Sequence, residues 1–433
     1  MVPLRDAIVT LNSLLPPRAV SEAVEGNRPD LTPEQELKVQ RYYQIMDRLE
    51  QETEATGDGV MVTVQDREVS LAQSKLAEDF TAGAAGQPLG SGGQEVKFGT
   101  GFSGMDWFRW IWSLTDHVDR SDAHKMLRAT SAVAEPLPDR AIVGLAADWG
   151  TGLYGAPKIA DQFRAMSGQR KFDLLMHLGD VYYSGTPKEV KERFTDIWPT
   201  AAGAVNRAIN GNHEMYSGGF GYFEQILPAF NQPASYFAFQ NTRWLLVGLD
   251  TAYVDHDIDN TQVAWLTLLV RQARARQQKV VLFSHQQPFS RLDTQGPKLQ
   301  KALNHLLREK AITAWYWGHE HDCVVYDVHP EWQMFGRCLG NGGIPQARKS
   351  AVRDAPGDAA YPGAGGCTWH RFGQTPESPA CLVLDGPNMD MKKASDQQKF
   401  VPHGFVTLEF EDDTLVERVY LSNGTELYRN TIR

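Results

Sequence analysis

Five short blocks of this 433-residue chain carry side chains that bind metal ions or move protons, and four of them follow an apolar, β-prone run. AIVGLAA (141–147) leads into Asp148-Trp149-Gly150, and FDLLMHLG (172–179) into Asp180-Val181-Tyr182-Tyr183. Residues 204–209 lead to Gly211-Asn212-His213-Glu214, KVVLFS (279–284) to His285, and ITAWYWG (312–318) to His319-Glu320-His321. The carboxyl ends of strands are where open α/β sheets place their ligands. One block alone would say little, because a strand-end Asp is commonly a turn former and a lone His commonly a structural residue. Five in a row supply seven donors: Asp148, Asp180, Tyr183, Asn212, His285, His319 and His321. If one carboxylate is shared, two ions each gain about four protein bonds, with room left for water and substrate. These oxygen and nitrogen donors, with no thiolate among them, suit iron, manganese or zinc. His319 and His321 point to opposite sides of an extended segment, so one loop can serve two ions.

The series DxG, GDxxY, GNHE, a strand-end His and GHxH resembles the calcineurin-like metallophosphoesterase superfamily and, within it, the purple acid phosphatase branch. The resemblance covers roughly residues 140–433. Most of that superfamily has Asp-x-His in the first block, whereas this chain has Asp148-Trp149-Gly150 and offers a phenol at Tyr183. The resemblance implies that Asp148, Tyr183 and His321 bind one metal, that Asn212, His285 and His319 bind the other, and that Asp180 bridges them. It implies Fe(III) beside Fe(II), Zn(II) or Mn(II), since a phenol with a pKa of about 10 stays ionised only beside a strongly charged neighbour. It further implies hydrolysis of a small phosphate monoester by a hydroxide formed at the dinuclear centre, with His213 orienting the phosphate or protonating the leaving group. The same two ions would also serve a phosphodiesterase acting on cyclic nucleotides or other diesters. A third reading is a non-catalytic scaffold that docks a protein partner through the segment containing Trp107, Phe108, Trp110 and Trp112. Plant relatives carry a further His soon after the fourth block, but here the next one after His285 is His305, inside an expected helix. Arg348, in the loop GNGGIPQARK, is a candidate phosphate partner or a solvated surface residue.

Other residues take plainer readings. His177 lies within a strand and is expected to pack or to orient Asp180. Asp250 ends the run RWLLVGLD as a turn or as a support for a metal-bound His. Cys323 is two residues past His321, but the donor inventory is already full without it. The sequon at Asn423 matters only in a secreted chain.

These side chains need strands at 141–147, 172–179, 204–209, 243–249, 279–284 and 312–318 to position them. The runs are separated by helical stretches such as Val263 to Ala273 and Leu299 to Leu307, whose apolar residues share one face. That alternation predicts an α/β domain with at least partly parallel sheet. The resemblance makes it a four-layer sandwich of two mixed β-sheets flanked by helices, over residues 136–433. Residues 1–135 form a mainly helical accessory region. Within it Thr32-Pro33-Glu34-Gln35 predicts a helix start with a stripe at Leu37, Tyr42, Ile45, Met46 and Leu49, and 82–104 is a Gly-rich linker. The segment HGFVTLEFEDDTLVERVYL predicts two strands joined at Asp412-Asp413.

The bulk chemistry narrows the partners. Lys and Arg total 43 against 53 Asp and Glu, a net charge of −10, which argues against a nucleic-acid partner and for discrete phosphate esters. Four cysteines without a CxxC pair fit a reduced compartment. No run of 18 apolar residues occurs and no signal peptide stands out, so no transmembrane segment and a cytoplasmic location are the expectations.

Overall fold

The computed structural model describes residues 32–56, 65–84, 114–119, 122–200, 203–294, 296–353 and 360–433. The tryptophan-rich segment at 107–112 and most of the expected linker at 82–104 lie outside the described residues. The chain divides into two compact units, one running to Asp122 and including Tyr216–Gly218, the other spanning Ala123–Met215 and Gly219–Arg433.

In the first unit, α1 (Pro33–Thr56) starts at the expected proline, and the Glu36 amide donates to the Thr32 carbonyl. Its buried stripe is Val39, Tyr42, Ile45 and Leu49, whereas Leu37 is 65% exposed. The stripe therefore begins at Val39, which falls on the same helical face as Tyr42 and Ile45, while Leu37 does not. α2 (Arg67–Ala84) buries Val69, Leu71 and Ala72 and carries Glu68, which accepts from both Arg41 and Arg48 of α1.

Among the described residues the second unit has sixteen strands: β1 (Glu135–Pro136), β2 (Ala141–Ala146), β3 (Leu174–His177), β4 (Val205–Ala208), β5 (Phe237–Gln240), β6 (Trp244–Gly248), β7 (Lys279–Ser284), β8 (Ala314–Trp317), β9 (Cys323–Val328), β10 (Phe335–Leu339), β11 (Ala360–Pro362), β12 (Thr368–Phe372), β13 (Cys381–Asp385), β14 (Gly404–Glu411), β15 (Thr414–Leu421) and β16 (Glu426–Ile432). They form two mixed sheets, ordered β16-β15-β14-β2-β3-β4 and β1-β5-β6-β7-β8-β10-β9-β13-β12-β11. Within the first, β2, β3 and β4 are parallel; within the second, β6, β7, β8 and β10 are. Strands that read as continuous apolar runs are buried on both faces, as parallel strands between layers must be: LLMH of β3 and AWYW of β8 are buried throughout.

The layer between the sheets packs Val143, Leu145, Leu174 and Met176 with Leu246, Val281, Phe283 and Tyr316. It also encloses one ion pair, Arg337 of β10 with Glu417 of β15 at 2.6 Å, to which the Tyr316 hydroxyl and the Asn430 amide also donate. Every carboxylate oxygen is thus satisfied, the condition under which a buried pair is tolerated. Helices α3 (Gly155–Gln169) and α5 (Asn260–Ala275), with the short α4 (Pro187–Val190) between them in the chain, line the outer layers through Ile159 and Phe163, and through Leu266, Leu269 and Val270. The β14–β15 hairpin turns at Asp412-Asp413 as expected, with Asp412 at φ 50°, the left-handed conformation a two-residue hairpin turn requires. The helix expected over 299–307 is split into α6 (Pro297–Ala302) and α7 (Asn304–Arg308) because Leu303 leaves helical dihedrals at φ −102°, ψ 9°. Its apolar face survives, with Leu299, Leu303, Leu306 and Leu307 all buried.

Candidate metal centre

Strands β2, β3, β4, β7 and β8 end where the five sequence blocks begin, so two parallel strand sets deliver their loops to one place. The loops there are tightly folded. Asp148, Asp180, His319 and His321 have φ between 53° and 74°, a left-handed conformation that non-glycine residues seldom adopt outside sites that require it. Gly211, before Asn212, and Gly318, before His319, are glycines for a steric reason: a Cβ at Gly211 would stand 2.3 Å from Asp180 Oδ1, and one at Gly318 would stand 2.4 Å from Asp148 Oδ2.

Six of the seven expected donors converge. Asp180, His285 and His319 present ligand atoms within 4.8 Å of one another, as do Asp148, Asp180 and His321, so Asp180 belongs to both groups. His285 Nε2 lies 3.2 Å from Asp180 Oδ1 and 2.9 Å from Asn212 Oδ1, and His319 Nδ1 is 3.3 Å from His285 Nε2. His321 Nε2 is 3.5 Å from Asp148 Oδ1. The His285 Nδ1–H donates to the Leu178 carbonyl, which aims Nε2 at the cluster. The His319 amide donates to the Asp148 carboxylate at 3.0 Å, locking the first block to the fifth.

The electrostatics describe donors gathered for cations. Burial and the Asp180 carboxylate, against the nearby His285, hold Asp148 well above the usual carboxylate range. Burial works against charge on His285, yet Asp180 and Asp148 outweigh it and push the imidazole up to about 9. Burial lowers His321 to about 3 and His319 well below its ordinary value, so both imidazoles offer lone pairs. Two buried Asp side chains with ligand atoms within 4.8 Å of each other, beside one imidazolium, fit divalent or trivalent ions, and the donors are the hard and borderline kinds those ions take.

The structure differs from the expectation at the phenol. The Tyr183 ring lies under the Arg193 guanidinium, 5.1 Å from centroid to carbon, and its buried hydroxyl makes no hydrogen bond. Tyr182 is the residue whose oxygen enters the cluster, 2.9 Å from His321 Nε2 and 3.4 Å from Asp180 Oδ2. The backbone explains the exchange. Glu189 accepts the Tyr183 amide at 2.8 Å and Arg193 donates to the Tyr182 carbonyl at 2.6 Å, so the segment is gripped from the Arg193 side and Tyr182 is left facing the cluster.

His213 is fully buried, its ring edge-on to Tyr182 at 3.7 Å, with Nδ1–H donated to the Tyr183 carbonyl and Nε2 4.0 Å from Asp180 Oδ2. Glu214 was not singled out by the sequence, yet it accepts amides from Asp180, Val181 and Gly211 and so ties the second block to the third. His177 packs against Phe194, Trp149 and Trp198. Asp250 accepts from Asn210 and from the amides of Ala252 and Tyr253 without touching a histidine. Arg348 is committed to a bidentate pair with Asp385, both bonds 2.6 Å, which explains why it is held rather than solvated. Cys323 belongs to the layer between the sheets, His305 bonds Thr267, and all four cysteines are buried and unpaired.

Residues 141–323 match the family model for calcineurin-like phosphoesterases. The matched stretch takes in every donor of the cluster. Solved structures similar to this chain include a purple acid phosphatase from yellow lupin (Lupinus luteus) seeds, 15% identical over 70% of this chain, with a TM-score of 0.49. This chain spans 54% of the length of that protein. Two others are a dimetal phosphatase from Danio rerio (13% identity, 67% of this chain and 98% of that one, TM-score 0.42) and GAP50, the inner membrane complex anchor of Plasmodium (11%, 68% and 89%, 0.45). No curated protein sequence matches significantly. Among the described residues no helix is long and apolar enough to cross a membrane.

Proposed function

We propose that this phosphoesterase-type domain is a metal-dependent phosphatase that hydrolyses small phosphate monoesters at a two-ion centre. The observation that carries the reading is the pair of buried donor groups sharing Asp180. Asp148, Tyr182 and His321 would hold one ion, Asn212, His285 and His319 the other, with Asp180 between them. When bound, two such ions neutralise phosphoryl charge and lower the pKa of a coordinated water. A phenol beside a carboxylate pair favours a trivalent ion, hence Fe(III), in the first position, with Fe(II), Zn(II) or Mn(II) in the second. The protein groups fix the geometry: Glu214 and the His319 amide lock the loops, and the Leu178 carbonyl sets the His285 tautomer.

His213 is the residue we assign to the phosphate or its leaving group, since its Nε2 faces the shared carboxylate while Nδ1 is occupied. The surplus acid of the chain, −10 overall, supports small esters over polyanions. The test is hydrolysis of an aryl phosphate and of a bis-aryl phosphate by protein loaded with iron, manganese or zinc. Turnover of the monoester that disappears with chelator is the expected result; turnover confined to the diester would replace the reading by a phosphodiesterase. In His213→Asn the metal content should hold while kcat falls about 10²–10⁴-fold.

A further inference from the structure

The loop between β6 and α5 brings an unexpected imidazole to the edge of the centre. His256 Nε2 lies 3.2 Å from Nε2 of His319, with the rings edge to face at 5.0 Å between centroids. On its other side, His256 Nδ1 lies 2.7 Å from Asp255 Oδ1. Both residues are in the left-handed region, Asp255 at φ 24° and His256 at φ 61°, and Lys298 holds the Asp255 carbonyl at 3.0 Å. Six of the twelve non-glycine residues with positive φ among the described residues are thus Asp148, Asp180, His319, His321, Asp255 and His256. Sparse backbone conformations persist where surrounding structure enforces them, and half of them here gather on this one centre.

We infer that His256 is a positioning residue for the metal ligand His319, and that Asp255 positions His256. The inference rests on the two-ion reading above. The proton assignments follow in one direction only. The Asp255 carboxylate accepts, so His256 carries its proton on Nδ1 and presents a lone pair at Nε2. That lone pair takes the Nε2–H of His319, which leaves His319 Nδ1 unprotonated, and Nδ1 is the atom 3.3 Å from His285 Nε2 in the Asp180 group. A metal-bound histidine normally has its second nitrogen held in this way, and loss of such a partner costs about 10–100-fold in metal affinity. Because both nitrogens of His256 are engaged, it acts through His319 and not on the substrate.

The test is a chelator-competition titration of the whole chain with Mn(II) and with Zn(II), comparing wild type, His256→Ala and His256→Gln, with melting of each metal-free protein alongside. Gln places a carbonyl oxygen near the position of the imidazole Nε2 and accepts the same N–H. The expected result is that Ala weakens one of the two ions by about 10–100-fold and leaves the other unchanged, that Gln recovers most of the loss, and that the metal-free melting temperatures coincide. Unchanged binding of both ions in the Ala variant, or a Gln variant no better than Ala, would overturn the inference while leaving the centre itself standing. Wild-type protein that binds neither ion would remove the two-ion reading first, and this inference with it.

Discussion

The phenol oxygen of Tyr182 lies 2.9 Å from Nε2 of His321, while the hydroxyl of its neighbour Tyr183 is buried without a hydrogen bond beneath Arg193. Two adjacent tyrosines therefore have opposite environments, and only one is in reach of the shared carboxylate.

That relationship separates the two phenylalanine variants. In Fe(III)-loaded protein, a tyrosinate-to-iron absorption band should be lost in Tyr182→Phe and kept in Tyr183→Phe. Urea unfolding should find Tyr183→Phe equal to wild type or more stable by about 1–2 kcal/mol, because it removes a buried hydroxyl that has no partner. A band that survives Tyr182→Phe and vanishes in Tyr183→Phe would show that the metal-loaded loop turns the other phenol inward.

Arg348 yields a contrary expectation to a phosphate clamp. Its guanidinium is spent on Asp385, which is almost wholly buried. Arg348→Ala should therefore cost about 2–3 kcal/mol of stability by removing both hydrogen bonds from that buried carboxylate and leaving it with His370 Nε2 at 3.8 Å, with KM for a phosphate ester unchanged. A raised KM at wild-type stability would contradict the assignment.

Asp250 sets a pH dependence. Burial raises its carboxyl to about 6, with Ser235, the Tyr253 amide and Asn210 pulling the other way. A folded-state pKa above the unfolded value means that the folded chain holds the proton longer. Its stabilising contribution is present below about pH 4 and is lost as pH rises through 6, on the order of 3 kcal/mol in all. Urea unfolding across that window should show wild type losing stability relative to Asp250→Asn; parallel curves would refute the shift.

The strands β2, β3, β7 and β8 and the donors Asp148, Asp180, His285, His319 and His321 were legible because these donor blocks follow apolar runs, where periodicity and residue type speak together, whereas β1, β5, β9 to β13 and β16 were not read from the pattern. Asn212 was legible through its block, GNHE, which follows β4. The choice between Tyr182 and Tyr183 was not, since spacing counts residues but the grip of Glu189 and Arg193 on the backbone decides which ring turns inward. His256 was not legible either. It lies 63 residues before His319, in a loop with no motif, and only the fold makes them neighbours. Glu214 stood in plain view beside Asn212 and His213; its role depends on amides from two separate loops, which no local pattern announces.

Metal binding should release protons, and the charge state of His285 fixes the direction. In the metal-free protein burial disfavours its charge, but Asp180 and Asp148 prevail and raise it to about 9, so at neutral pH its Nε2 carries a proton. Asp148 is also raised, by burial and by Asp180. An ion that takes the His285 Nε2 must displace its proton, so apparent affinity should climb as pH rises and level off above about 9, with a slope of up to about tenfold per pH unit. The His285 ion pair itself stabilises the metal-free fold below about pH 6.5, and that contribution fades as pH rises through 9. The increase in melting temperature on adding Mn(II) or Zn(II) should accordingly be larger at alkaline than at mildly acidic pH. An increase that is independent of pH would mean that the ion binds without displacing the His285 proton, and so binds somewhere other than between Asp180, His285 and His319.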